Sequence, residues 1–160
     1  MATSMISLEG RVNTHHECLR IDTRESLEFT DITESVAECV RYSGIRDGIV
    51  NVQTRHTTTA ILVSEHEPLL MHDLKRTLEA LAPCKADYRH DDFSARTVNM
   101  CPDEEKNGHS HCKALFLRSS ECLNVVDGQM DLGQWQRIFL IELDRARSRT
   151  VSVMILGEPG

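Results

Sequence analysis

Apolar positions recur along the chain in two rhythms. Asp31 and Glu34 stand at capping-box spacing, and Ile32, Val36, Cys39 and Val40 follow at i, i+4, i+7 and i+8 before Gly44. This pattern predicts a first helix. Pro68 suits the first turn of a second helix, in which Leu70, Leu74, Leu78 and Leu81 share a face and Pro83 stops the run. That stripe is expected to face the core. Gly48 to Gln53 and Ala60 to Ser64 are β-rich and flank a polar knot, Thr54-Arg55-His56-Thr57-Thr58-Thr59. Further strand signals lie at His109 to Arg118, Glu121 to Val126, Trp135 to Leu143 and Thr150 to Leu156, with Asp127-Gly128 as a turn. At the other end, Met5 to Val12 and Glu17 to Thr23 read as a hairpin turning at Asn13 to His16. Helices early and strands late predict an α+β fold, one compact domain over residues 1–160 with a largely antiparallel sheet packed by two main helices.

The segment from Cys84 to Asn107 shows neither period. A polar connection of that length is expected to carry chemistry. Composition narrows the rest. Eighteen Lys and Arg against twenty-five Asp and Glu give a formal charge of −7, with 40% hydrophobic residues. An acidic balance argues against nucleic-acid binding, which needs clustered cations to displace counterions from phosphates. No apolar run approaches the roughly 18–20 residues that cross a bilayer, and no leader pattern opens the chain, so a cytoplasmic location without membrane contact is expected. Six cysteines without a C-x-x-C pair read as reduced thiols. Cys39, Cys112 and Cys122 are expected to be buried, leaving Cys84 and Cys101 in loop sequence near histidines.

His109-Ser110-His111 opens a strand-like run, and on a strand both imidazoles would share one face. His56 lies in the polar knot and His90 in the long loop, so four histidines could converge on an ion. Neutral imidazole is a common ligand for zinc and related metals. Taken singly, each is more often a surface or hydrogen-bonded residue, and His15, His16, His66 and His72 are left to that reading. Glu65, Asp91 and Asp92 are carboxylates near these histidines, suited to be a ligand, a group orienting a ligand or a general base. Arg55, Arg89 and Lys113 adjoin the same histidines and could meet an anionic substrate.

The runs RHTTTAILVSE, YRHDD, NGHSHCKALFL and SSECLNVVDGQMDLGQWQRIFLIELD, in that order, resemble the YjbQ-like family, named for a secondary thiamine-phosphate synthase activity. Ser120, Leu123, Val125, Gly128, Gly133, Trp135, Gln136 and Ile138 follow the family signature. Gln134 departs from its usual Gly-Thr-Trp-Gln, and Phe93 to Glu105 is an insert expected to reshape the rim of the site. The resemblance implies an α+β homotrimer with a histidine-lined metal site near a subunit boundary. Its motifs carry His56, His90, His109 and His111 over as metal ligands, with Glu65, Asp91, Arg89 and Lys113 as the catalytic candidates. The implied reaction joins a pyrimidine methyl diphosphate to a thiazole phosphate and releases diphosphate, helped by a divalent ion: zinc by donor type, or magnesium carried with the diphosphate. The chain has no Gly-rich phosphate loop or G-K-[ST] element. A hydrolase using a histidine-bound metal hydroxide, and a non-enzymatic metal-binding trimer, therefore stand beside it as alternatives.

Overall fold

The computed structural model describes residues 12–160. Along the chain, β1 (Asn13–Asp22) and β2 (Phe29–Asp31) precede α1 (Thr33–Ser43), followed by β3 (Ile45–Thr54), β4 (Thr59–Glu65) and α2 (Pro68–Leu81). A single 3-10 turn, Arg89–Asp91, punctuates the long connection to α3 (Gly108–Ala114). Then come β5 (Ser120–Val126), β6 (Gln129–Met130), β7 (Gln136–Glu142) and β8 (Ser148–Pro159). The strands pair antiparallel throughout, in a five-stranded sheet of order β1-β8-β3-β5-β6 and a three-stranded one of order β2-β7-β4. A lone bridge between Ile61 and Arg118 ties the two, so the whole curls round a common interior. The predicted α+β fold is the observed one.

Local chemistry explains both long helices. Asp31 Oδ1 accepts from the Thr33 amide at 2.9 Å and the Thr33 hydroxyl at 2.6 Å, and α1 ends where Gly44 turns to φ 65°. Glu67 takes the amides of Leu69 and Leu70 on its carboxylate, with Pro68 at the first helical position. The expected stripe of α2 is only partly covered. Leu78 is buried, Leu70 and Leu74 are half-buried, and Leu81 is half exposed.

Two apolar clusters fill the interior. One packs Val36 and Val40 of α1 against Val50, Val52, Val153 and Ile155 of the large sheet and Ile138 and Leu140 of the small one. The other sets Phe139, Ile141 and Leu143 against Leu78 of α2. Strand β7 is thus buried on both faces, each large side chain contributing roughly 1.5–3 kcal/mol. In the large sheet β3 and β8 approach so closely that a Cβ on Gly48 would lie 2.1 Å from the Leu156 carbonyl.

Three expectations change. Asn13 to His16 are not a turn but the first part of β1, an edge strand paired only with β8, where alternate polar side chains stay in solvent. The other half of the proposed hairpin lies almost wholly outside the described residues. His109 to Arg118 is not a strand: α3 occupies Gly108 to Ala114. Cys39 is buried as expected, but Cys112 and Cys122 are exposed; all six thiols are free.

Candidate functional site

Helix α3 is held by polar groups rather than by an apolar stripe. Asp91 Oδ1 accepts the amides of Asn107 at 3.0 Å and Gly108 at 2.8 Å, fixing the helix start. The Ser110 hydroxyl donates to the Leu143 carbonyl at 2.7 Å, so Ser110 faces inward and not away. Lys113, 1% exposed, donates to the Ala82 carbonyl at 2.6 Å and lies 3.1 Å from the Glu79 carboxylate and 3.4 Å from His109 Nδ1. Its ammonium is spent inside the protein and cannot meet a substrate.

The helix also separates the two histidines expected to be paired ligands. Two positions on a helix differ by about 200°, so His109 and His111 point to nearly opposite sides. His109 is buried on Lys113, and its pKa is lowered by burial first and then by that ammonium. His111 instead stacks edge-on against His90, ring centroids 4.6 Å apart. Burial again lowers its pKa, followed by the neighbouring His90, while Asp144 pulls the other way.

His90 reaches this contact from the 3-10 turn, and the insert holds it there. Arg96 Nη1 donates to His90 Nε2 at 2.9 Å and to its carbonyl at 3.0 Å, while Arg96 and Glu104 form an ion pair. Arg89 and Asp91 line a different cavity, of 730 Å³, with Lys85 and Lys106. His56 sits where β3 leaves the sheet, and its Nε2 accepts the Thr150 amide at 2.9 Å. Its pKa is lowered by burial, then by Arg149. Glu65 ends β4, whose other end begins beside His56, a separation of about 20 Å at strand rise.

The four histidines therefore do not gather on one ion within the chain. Among the described residues no three His, Cys, Asp or Glu side chains form a group able to hold a metal. The structure instead brings His90 and His111 together and adds acids and arginines that sequence reasoning missed. Asp144, at the end of β7, is 6% exposed and lies 3.0 Å from Arg147 and 3.8 Å from Arg145. Both contacts are to Oδ2, which the guanidiniums meet as an ion pair without hydrogen-bond alignment, while Asn107 Oδ1 is buried without a hydrogen-bond partner. Beneath them Glu142 and Arg149 make a fully buried pair, the carboxylate also accepting from the Thr23 hydroxyl and the Asp144 amide. One signal pointed here: arginines alternate at 145, 147 and 149 directly after a glutamate embedded in an apolar run.

These features define a small α+β protein with a polar cleft of 320 Å³ lined by Glu104, Asn107, Arg145 and Arg147, with His90 of the touching imidazole pair 3.9 Å from Glu104. Comparison with known proteins places it more closely. The chain belongs to the YjbQ-like family: the family model described as UPF0047 protein YjbQ-like matches residues 17–158. A UPF0047 protein of Methanothermobacter thermautotrophicus is 38% identical over 141 residues, 88% of this chain and 91% of that one. Among solved structures, a YbjQ-like protein of unknown function from Sulfolobus solfataricus superposes with a TM-score of 0.83 at 32% identity, covering 92% of this chain and all of the other. A hypothetical protein from Aeropyrum pernix gives 0.79 at 30% identity, covering 90% and 99%. Among the described residues no helix is long and apolar enough to cross a membrane.

Proposed function

We propose that the chain is an enzyme acting on small phosphorylated or anionic substrates in the cleft lined by Arg145 and Arg147, next to Asp144 and the His90–His111 pair. The observation that carries this reading is the buried Asn107 Oδ1 without a hydrogen-bond partner in the cleft lined by Arg145 and Arg147, beside two imidazoles in contact. Buried polar groups are almost always paired, and the exceptions cluster where a ligand completes them.

Thiamine-phosphate synthesis, the activity attached to the family's name, is the reaction to try first. In it the bond between the pyrimidine methylene carbon and the diphosphate oxygen breaks, the electron pair leaving with the oxygen. The thiazole nitrogen lone pair forms the new carbon–nitrogen bond. Negative charge grows on the departing diphosphate, where Arg145 and Arg147 can meet it with charge-assisted hydrogen bonds. Asp144 sets the positions of those guanidiniums. A divalent ion, zinc by donor type or magnesium brought with the diphosphate, would find one nitrogen donor in His111 and a second in His90 only on release of its Nε2 from Arg96, and would draw the same charge. The further ligands would come from substrate oxygens or a second copy of the chain. Exposed Phe116 (56%) and Trp135 (65%) supply apolar surface for such a copy, in keeping with a homotrimer.

A hydrolytic reading draws on the same residues. His111 is kept neutral beside Asp144, which suits a base that takes a proton from water. The test supplies the pyrimidine diphosphate and the thiazole phosphate and measures thiamine phosphate and diphosphate, with p-nitrophenyl phosphate in parallel. Slow product formation, lost in His111→Ala and Arg147→Met, is expected. Turnover of the nitrophenyl ester alone would transfer the assignment to hydrolysis, and no turnover of either would defeat the enzymatic reading. Light scattering near three times the 18.1 kDa chain mass is expected, and a monomer at micromolar concentration would defeat the trimer.

A further inference from the structure

A second cavity, of 530 Å³, opens beside His56, and its lining residues are of two kinds. The polar part includes Arg55, His56, Thr57, Arg118 and Ser119; no carboxylate is among the lining residues, in a chain of net charge −7. Arg118 shares its guanidinium with Glu121 at 2.9 Å, leaving its other nitrogen free of that bond, while Arg55 has no ion-pair partner within 4 Å among the described residues. Besides burial, Arg149, Arg55 and Arg147 work against a charge on His56 and Glu142 works for it. The apolar part of the lining is Ala114, Leu115 and Leu117 at and just after the end of α3, with Leu115 80% exposed.

We infer that this cavity binds a phosphate monoester with an apolar body, the phosphate on Arg55 and Arg118 and the body against Ala114, Leu115 and Leu117. A phosphate alone fills only a small part of 530 Å³, and an apolar wall gives nothing to a polar body. Arginine forks match phosphate oxygens, and the hydroxyls of Thr57 and Ser119 supply further donors. A carboxylate ligand would use less of this set, with one charge for two arginines. The inference rests on the preceding reading only in taking the substrate to be anionic.

The probes are phenyl phosphate, inorganic phosphate and glycerol 3-phosphate, titrated calorimetrically into the intact protein. Phenyl phosphate is expected to bind about ten-fold more tightly than glycerol 3-phosphate, since a ring transferred from water to an apolar wall is worth at least that factor. Arg55→Met and Arg118→Met, both at solvent-facing positions, should each weaken phenyl phosphate about ten-fold or more with unchanged circular dichroism. Leu115→Asn should weaken phenyl phosphate while leaving inorganic phosphate as it was. Unchanged binding in both arginine variants, or no saturable binding of phenyl phosphate to the wild type, overturns the site. Equal affinity for glycerol 3-phosphate overturns the apolar wall. His111→Ala separates this inference from the catalytic reading, because it should abolish turnover yet keep phenyl phosphate bound. A wild type that binds phenyl phosphate through Arg55 and Arg118 without any turnover would sink the catalytic reading alone.

Discussion

Removing Arg149 should be among the most damaging single changes this protein can suffer. Its guanidinium, 3% exposed, donates from Nε to Glu142 at 2.6 Å and from Nη2 to the other carboxylate oxygen and to the Thr58 hydroxyl at 3.2 Å. In Arg149→Met the fully buried Glu142 keeps only the Thr23 hydroxyl and the Asp144 amide. A buried ion left without its partner costs about 3–5 kcal/mol. For a domain of this length each kcal/mol moves the melting temperature by roughly 2–4 °C, so a fall of roughly 6–20 °C is expected. Glu142→Leu alone should cost a similar amount, because it strands the guanidinium instead. The double variant distinguishes an ion pair from mere packing. Replacing both ions removes the uncompensated charge, so Glu142→Leu/Arg149→Met should be no less stable than the worse single variant. Urea unfolding at pH 7 of the four proteins measures the cycle. A loss below 1 kcal/mol in Arg149→Met, or a double variant that loses the full sum of the singles, would refute the reasoning.

The site yields three further expectations. Asp91→Ala removes the acceptor for the Asn107 and Gly108 amides and should cost about 0.5–2 kcal/mol in urea unfolding; no measurable change would deny Asp91 its role at the start of α3. Metal content measured by mass spectrometry should fall in His90→Ala and His111→Ala and hold in His56→Ala and His109→Ala. Full occupancy in His111→Ala would show that the touching pair is not the site. The third concerns acid. Burial, in each case the largest cause, lowers the pKa of His56, His109 and His111, so the unfolded chain takes up protons on them near pH 6.5 before the folded one does. Their contribution is fully present above about pH 6.5 and is lost as pH falls through the folded values. With a chelator present, the urea midpoint should drop between pH 7.5 and 5.5, and an unchanged midpoint would contradict three neutral imidazoles, one buried and two half-buried.

Most of the fold was legible because most of it buries apolar side chains at regular spacing. Val36, Cys39 and Val40 face the core at helical intervals, and Ile138 to Ile141 forms the unbroken apolar run expected of a strand covered on both faces. Helix α3 was illegible for the complementary reason. Its inner face is His109, Ser110 and Lys113, so the alternation of His-Ser-His mimicked a strand while the helical stripe was written in polar residues. The error passed directly into the site. His109 and His111 were paired by strand geometry that the chain does not have, and Lys113 was offered to a substrate although three groups of the protein already hold it. His90 and His111 survive as a pair, but through a stacking contact rather than through spacing.

The missing half of the cleft was hidden because its members are scattered in sequence and act on one another. The Asp144 carboxylate takes its meaning from Arg145 and Arg147, and these from the end of β7, which is placed by the apolar interior. The insert does the same for His90: Arg96 can seat the ring only because Glu104, eight residues on, neutralises it and the Asn99 carbonyl accepts a second bond. A seven-residue helix with a polar inner face has little stability of its own, since it closes few intrahelical bonds and buries few apolar groups. It is held instead by Asp91, the Leu143 carbonyl and the Ala82 carbonyl, one anchor from the loop, one from the sheet and one from α2. The helix that carries His111 is thus fixed by its surroundings, and a change in any anchor should move the imidazole before it unfolds the domain.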